Sequence, residues 1–284
     1  MTILTTTTST SASQPALTSR REARKPGFQN VLAAEWVKFT SLRSTWITLG
    51  LGMTLAIAMT VMMSTAIGGS WDPENKMYAE FNPITWSMDA TLIATIAFSV
   101  LGVSVAAGEY TSGMIRLALM ATPRRGSILA AKAIIVAGAT AVAGLVSVAV
   151  MFLAAQAIYG SYDMPTASLG DPEALRLVLA MGALAAAFPV LGLALGFILR
   201  STVAGITSIL ALSFVPDFLG GLFPAWWQEN IISFLPSQAI RALTVGTVVD
   251  SPRYQEPVVA AVALAAWVAA ALAAAYVVLK KRDA

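Results

Sequence analysis

Side chains able to do chemistry are few in this chain, and their types limit what it can catalyse. The only acidic cluster is Asp72, Glu74, Glu80 and Asp89. Its spacing fits neither a working carboxylate pair nor a metal site. There is no His and no Cys among the 284 residues. Without His the commonest general base and zinc ligand is gone, so HExxH sites and Ser-His dyads are impossible. Without Cys there are no disulfides, thiolate nucleophiles or Cys metal sites. No Gly-Lys pair occurs, so no P-loop is present. If ATP drives this protein, the ATPase is a separate polypeptide.

The surrounding elements explain the scarcity. Hydrophobic residues make up 57% of the chain and charged residues 12%, about half the ~25% charge of a soluble domain. The charges fall in short clusters separated by long uncharged runs. About 20 apolar residues cross the ~30 Å hydrocarbon core of a bilayer. A soluble enzyme, a nucleic-acid domain and a disordered regulator are thereby excluded, and the fold class is an all-α polytopic membrane protein. Six transmembrane helices are expected at 46–67, 90–107, 133–158, 177–199, 201–216 and 258–279. The fifth has 16 residues, or ~24 Å at 1.5 Å per residue. It needs local thinning or a continuation past Pro216. No charge falls inside these six runs, which argues against ion-coupled transport, charged-ring channels and voltage sensing.

Lys and Arg set the orientation. Residues 1–45, 108–132, 200 and 280–284 hold 14 of the 18 Lys and Arg, but only 4 of the 15 Asp and Glu. Both termini are therefore expected in the cytoplasm, and the net charge of +3 reflects retained Lys and Arg rather than a nucleic-acid partner. Residues 1–27 read as a disordered cytoplasmic tail, Thr- and Ser-rich up to Ser19 and then basic at Arg20, Arg21, Arg24 and Lys25. Residues 28–284 read as one six-span transmembrane domain. Phe28, Val31, Leu32, Trp36, Phe39, Leu42 and Trp46 recur at helical spacing. With Glu35, Lys38, Ser41 and Arg43 assigned to the other side, this is an N-terminal amphipathic helix lying in the membrane interface. Glu35 and Lys38, three apart, form a candidate surface pair.

Two connecting stretches stand out. Residues 217–257 begin too apolar for a solvated loop and are too broken by Gly and Pro for a span. They are expected to form short re-entrant or interfacial helices, with Trp226 and Trp227 at headgroup level. In 108–132, Thr111 or Ser112 can cap a short helix, Met114, Ile115, Leu117, Ala118 and Leu119 give two apolar turns, and Pro123 ends it. Such a helix either docks a partner or rests on the lipid surface.

The run Gly108-Glu109-Tyr110-Thr111-Ser112-Gly113-Met114-Ile115-Arg116, then Leu119, Pro123-Arg124-Arg125 and Lys132, resembles the loop between spans two and three of the ABC type-two exporter permeases. Glu35-Trp36-Val37-Lys38 with Ser41-Leu42-Arg43-Ser44-Thr45-Trp46 resembles the N-terminal helix of that family. Leu191-Gly192-Leu193-Ala194-Leu195-Gly196 with Arg200-Ser201 resembles its span-four hairpin, and Leu235-Pro236-Ser237 its last external segment. The resemblance covers roughly residues 30–282. It implies the membrane-spanning subunit of an ATP-driven exporter in a bacterial cytoplasmic (inner) membrane, moving a hydrophobic or amphiphilic compound (a drug, lipid or peptide). The chain itself would catalyse nothing and hold no cofactor. ATP and Mg would sit on a separate ABC ATP-binding subunit. A second copy of the chain, or a related permease, would complete the path, with membrane lipid around it. Thr111–Thr122 would be the coupling helix seated on the ATPase, with Gly113 in its turn and Pro123 at its end. Glu109 would brace the end of span two, Arg116, Arg124 and Arg125 would meet polar groups of the ATPase, and Glu35 and Lys38 would lie on a helix that also touches it.

Other features read more plainly. Gly192 and Gly196 form a small-xxx-small pattern that chance also produces in a chain rich in Ala and Gly. Pro189 is expected to kink span four. Two rival classes remain, a membrane-embedded lipid-modifying enzyme and a non-transporting scaffold; dependence on ATP hydrolysis separates the transporter from both.

Overall fold

The computed structural model of the chain describes residues 27–121, 125–244 and 255–281, and among these there are helices and no strand. The expected tail lies outside the described residues apart from Gly27. The helices are α1 (Phe28–Ser41), α2 (Arg43–Gly69), α3 (Pro83–Trp86), α4 (Thr91–Thr111), α5 (Met114–Ala121), α6 (Arg125–Ser161), α7 (Pro172–Leu184), α8 (Ala187–Leu199), α9 (Thr202–Leu219), α10 (Ala225–Asn230), α11 (Pro236–Thr244) and α12 (Pro257–Lys281). Among the described residues five stretches are long and apolar enough to cross a membrane: α2, α4, α6, α7 with α8, and α12. The fifth expected span falls on α9, whose apolar part, Thr202–Pro216, is shorter than these five. α9 carries Pro216 inside it and continues to Leu219.

α1 and α2 meet at one extended residue, Leu42. The Trp46 indole N–H donates to the Thr40 carbonyl at 2.9 Å and ties the elbow. Trp46 therefore belongs to α2, not to the amphipathic helix. The expected kink in span four is a two-residue interruption between α7 and α8, both residues still in the right-handed helical region. It falls at Ala185–Ala186, one turn before Pro189, because a proline ring crowds the carbonyl four residues earlier. Met181 and Ala183 carbonyls accept the amides of Ala185 and Ala186 there.

Close approach of α4 and α8 forms the centre of the bundle. A Cβ on Gly102 would overlap the Pro189 carbonyl oxygen. Cβ atoms on Gly192 and Gly196 would lie 2.6 Å from the Ser99 oxygen and 2.8 Å from the Val103 oxygen. The Gly192-xxx-Gly196 pattern is thus a real contact surface within the chain, not a chance spacing. Phe98, Val103, Leu193 and Phe197 are fully buried around it.

The end of the bundle that carries the acidic loops is closed by aromatic rings. Phe81 stacks edge-on against Trp71 at 5.0 Å and against Trp86 and Tyr159 at 5.2 Å. Between α9 and α12 the chain is broken into 3-10 turns at Gly220–Leu222 and Ile232–Phe234 alternating with α10 and α11. Trp226 and Trp227 are exposed on α10.

Candidate functional site

The opposite, basic end holds a buried cluster of charge where α1, α4 and α6 converge. Lys132, in the second turn of α6, is 3% exposed, and Glu109, near the end of α4, is 4% exposed. The Lys132 ammonium donates to Glu35 Oε2 at 2.6 Å and to Glu109 Oε1 at 2.8 Å. Lys38 also donates to Glu109 Oε1. Two cations and two anions thus alternate across three helices. Glu109 Oε2 is buried without a hydrogen-bond partner. Burial holds the Lys38 ammonium below the usual lysine range; the neighbouring Lys132 charge adds to this, and Glu35 pulls the other way.

This corrects two expectations about α1. Glu35 and Lys38 do not pair with each other on the surface; each pairs with another helix. Nor do they lie opposite the buried face. At 100° per residue, Val31, Glu35, Lys38 and Phe39 fall within one narrow arc. Val31 and Phe39 are buried, whereas Trp36 and Val37 are exposed. The charges face protein and the lipid-compatible side chains face out.

The loop 108–132 is built outward from this cluster. Tyr110, next to Glu109, points to the other side of α4. Its ring lies under the Arg200 guanidinium at 5.0 Å and edge-on to Phe197 at 6.2 Å. Arg200 ends α8 in the left-handed region, φ 53°, and the Ser201 hydroxyl accepts the Ala204 amide to start α9. Consecutive residues of one Gly-Glu-Tyr motif therefore tie the end of α4 to α1 and α6 on one side and to the α8–α9 hairpin on the other.

Gly113, φ 71°, makes the sharp turn from α4 into α5, where a side chain would be strained. Thr111 and Ser112 do not cap α5 as expected. Their hydroxyls donate back to the Ala107 and Gly108 carbonyls of α4, because α4 runs on through Thr111. On α5, Ile115 is buried at 2%, while Met114, Leu117 and Met120 are exposed by 47%, 63% and 72%. Spaced by three, these three make an apolar stripe that no other described residue covers. Arg116 sits on this helix; Pro123 and Arg124 lie outside the described residues.

Arg125 turns inward. It donates to the Leu279 carbonyl at 2.7 Å, satisfying the end of α12, whose last carbonyls have no partner within the helix. Arg125→Ala is expected to cost about 1.5–3 kcal/mol, the worth of a charged hydrogen bond. Faster amide exchange confined to the last turn of α12 checks it.

Lys132 is the residue that sequence reasoning quoted without assigning a role. Its signal was position: a lysine directly abutting the longest uncharged run, about two turns into a helix that starts at Arg125. At the acidic end a smaller cavity, about 190 Å³, is lined by Asp89, Ser213, Ser237 and Arg241 among others.

A family model described as an ABC-2 family transporter protein matches residues 31–216. The chain belongs to the ABC-2 transporter family. The match runs from α1 into α9 and so contains every member of the charge cluster, the Gly-Glu-Tyr motif and α5. No curated protein matches the chain. As a member of a permease family with several membrane-length helices, the ABC-2 chain is a multi-pass membrane protein. Such permeases are generally the non-enzymatic membrane subunits of ABC transporters.

Proposed function

We propose that this ABC-2 permease works as the membrane half of an ATP-driven exporter of hydrophobic or amphiphilic compounds in a bacterial cytoplasmic membrane. ATP and Mg belong to a separate ABC ATP-binding subunit docked at the basic, cytoplasmic end. α9 serves as the sixth span, both termini are cytoplasmic, and the short helices between α9 and α12 re-enter the outer leaflet. Two permeases, identical or related, enclose the path. The observation that carries the reading is α5: an uncovered stripe of Met114, Leu117 and Met120, rooted through Glu109 and Tyr110 in the rest of the bundle. Arg116, Pro123 and Arg124 belong to the same docking surface. Glu35, Lys38 and Glu109 act behind it, passing movement of α5 and α1 to α4 and α6. ATP favours the closed ATPase pair, and the difference in its affinity for the two permease states supplies the bias.

The test is a mild-detergent pull-down of the tagged chain with mass spectrometry of its stoichiometric partners. A P-loop ATPase should accompany the parent chain. It should be lost when residues 114–121 are replaced by a Gly/Ser linker in a chain that still inserts. Recovery of the ATPase with both forms would remove α5 as the docking element; recovery with neither would remove the transporter reading.

A further inference from the structure

On the side of α1 next to the one that faces the charge cluster, α1, α2 and α6 enclose an open cleft of about 900 Å³. Trp36, Trp46, Met53, Ile134, Val142 and Val146 are among its walls, and apart from Gln29 and the indole N–H groups the lining is apolar. Along α6 the lining runs from Ile134 to Val146, ~18 Å at 1.5 Å per residue. That is close to the depth of one hydrocarbon leaflet, half of ~30 Å. The cleft starts at the basic end beside the α1–α2 elbow and stops near the middle of α6. Its two tryptophans, Trp36 and Trp46, stand at the elbow, where indoles sit at headgroup level.

The rim is cationic. The α2 stripe that lines the cleft, Trp46, Gly50 and Met53, continues one turn back to Arg43, which is exposed. Basic residues beside an amphipathic helix attract anionic headgroups, each worth about 1 kcal/mol near the surface. We infer that the cleft is a binding site for one anionic phospholipid, its acyl chains between α1, α2 and α6 and its phosphate at Arg43. The Thr- and Ser-rich residues 1–19 are too polar to fill such a slot. A lipid there supports α1 on the side next to the one that carries Glu35 and Lys38, whether or not an ATPase docks.

Two glycines give a clean test. Gly50 and Gly138 line the cleft, and a Cβ on either meets nothing within 4 Å, so a larger side chain enters the cleft without displacing protein. The full chain is purified in detergent, washed of loose lipid, and supplied with phosphatidylglycerol or phosphatidylcholine in mixed detergent micelles. Native mass spectrometry counts the lipid retained. The parent chain should retain a single phospholipid and prefer phosphatidylglycerol. Gly138→Leu and, independently, Gly50→Leu should lose most of it while keeping parental helicity by circular dichroism. Arg43→Gln should keep the lipid but lower the preference about fivefold, the equivalent of ~1 kcal/mol. Equal retention in parent and both leucine variants would overturn the proposal. So would a retained compound that is not a phospholipid, or a dimer that both leucine variants dissociate with no lipid released.

Discussion

Lys132→Met is expected to destabilise the chain by about 3–5 kcal/mol, the usual cost of removing one partner from a buried ion pair. Lys132 is the cation shared by Glu35 and Glu109, so its loss leaves Glu109 with Lys38 alone and Glu35 with none. The second substitution decides what the cluster is for. Glu109→Leu with Lys132→Met removes one charge of each sign, and apolar replacement of a buried pair is often neutral or stabilising. The melting temperature of the double variant in detergent should therefore return close to the parent value. Glu35 and Lys38, three apart on α1, are then left to pair with each other across one helical turn. Coupling should not return, because α4 and α6 no longer hold α1 by charge. The measurement is ATP hydrolysis by the co-purified ATPase, compared with and without the permease variant. Stability recovered with coupling still lost supports transmission through the cluster. Recovery of both would make the cluster a structural clamp and no more.

Much of this arrangement was legible because apolar length is a strong signal. The uncharged runs fall on helices, and 108–132 contains a short helix between two long ones. Three things were hidden, each for a physical reason. α4 and α6 extend one or two turns beyond their uncharged runs, so Glu109 and Lys132 were read as loop residues when they lie within helices. A helix of 37 residues, ~55 Å long, exceeds any bilayer core, and composition alone does not say where it emerges. The face of α1 was misjudged because its aromatic residues span a wide arc; Glu35 falls between Val31 and Phe39, and only the partners on α4 and α6 show that its charge is buried. The interruption at Ala185–Ala186 was offset from the proline that causes it, since Pro189 acts on the preceding turn. The apolar stripe on α5 was visible as composition, yet its outward direction depends on Gly113 and on Ile115 being the one described side chain of the helix turned into the core.

The cluster and the stripe belong to one mechanical unit. Glu109 and Tyr110 leave α4 in opposite directions, to α1 with α6 and to α8 with α9. If α5 docks the ATPase as proposed, movement imposed on it would reach both halves of the bundle through the last turn of α4. That turn transmits only if α4 and α8 move as one body, which makes their contact the second place where a small change has a large effect.

Gly102→Ala is expected to cost at least 3 kcal/mol, although it adds a single methyl group. The added Cβ would overlap the Pro189 carbonyl oxygen, which is backbone and cannot rotate away. Overpacking a core costs about 1–3 kcal/mol when side chains give way; here one helix must shift. The shift is resisted on both sides, because Gly192 and Gly196 hold α8 against Ser99 and Val103 one and two turns along. Gly108→Ala is the internal control on the same helix. A Cβ there meets nothing within 4 Å, so the substitution should stabilise by about 0.5–1 kcal/mol, the gain of Ala over Gly inside a helix. Thermal melting of the two variants in the same detergent gives opposite signs if the α4–α8 contact is as close as described. Equal, small effects would mean that the two helices slide past each other, and α4 could not then carry movement from α5 to α8.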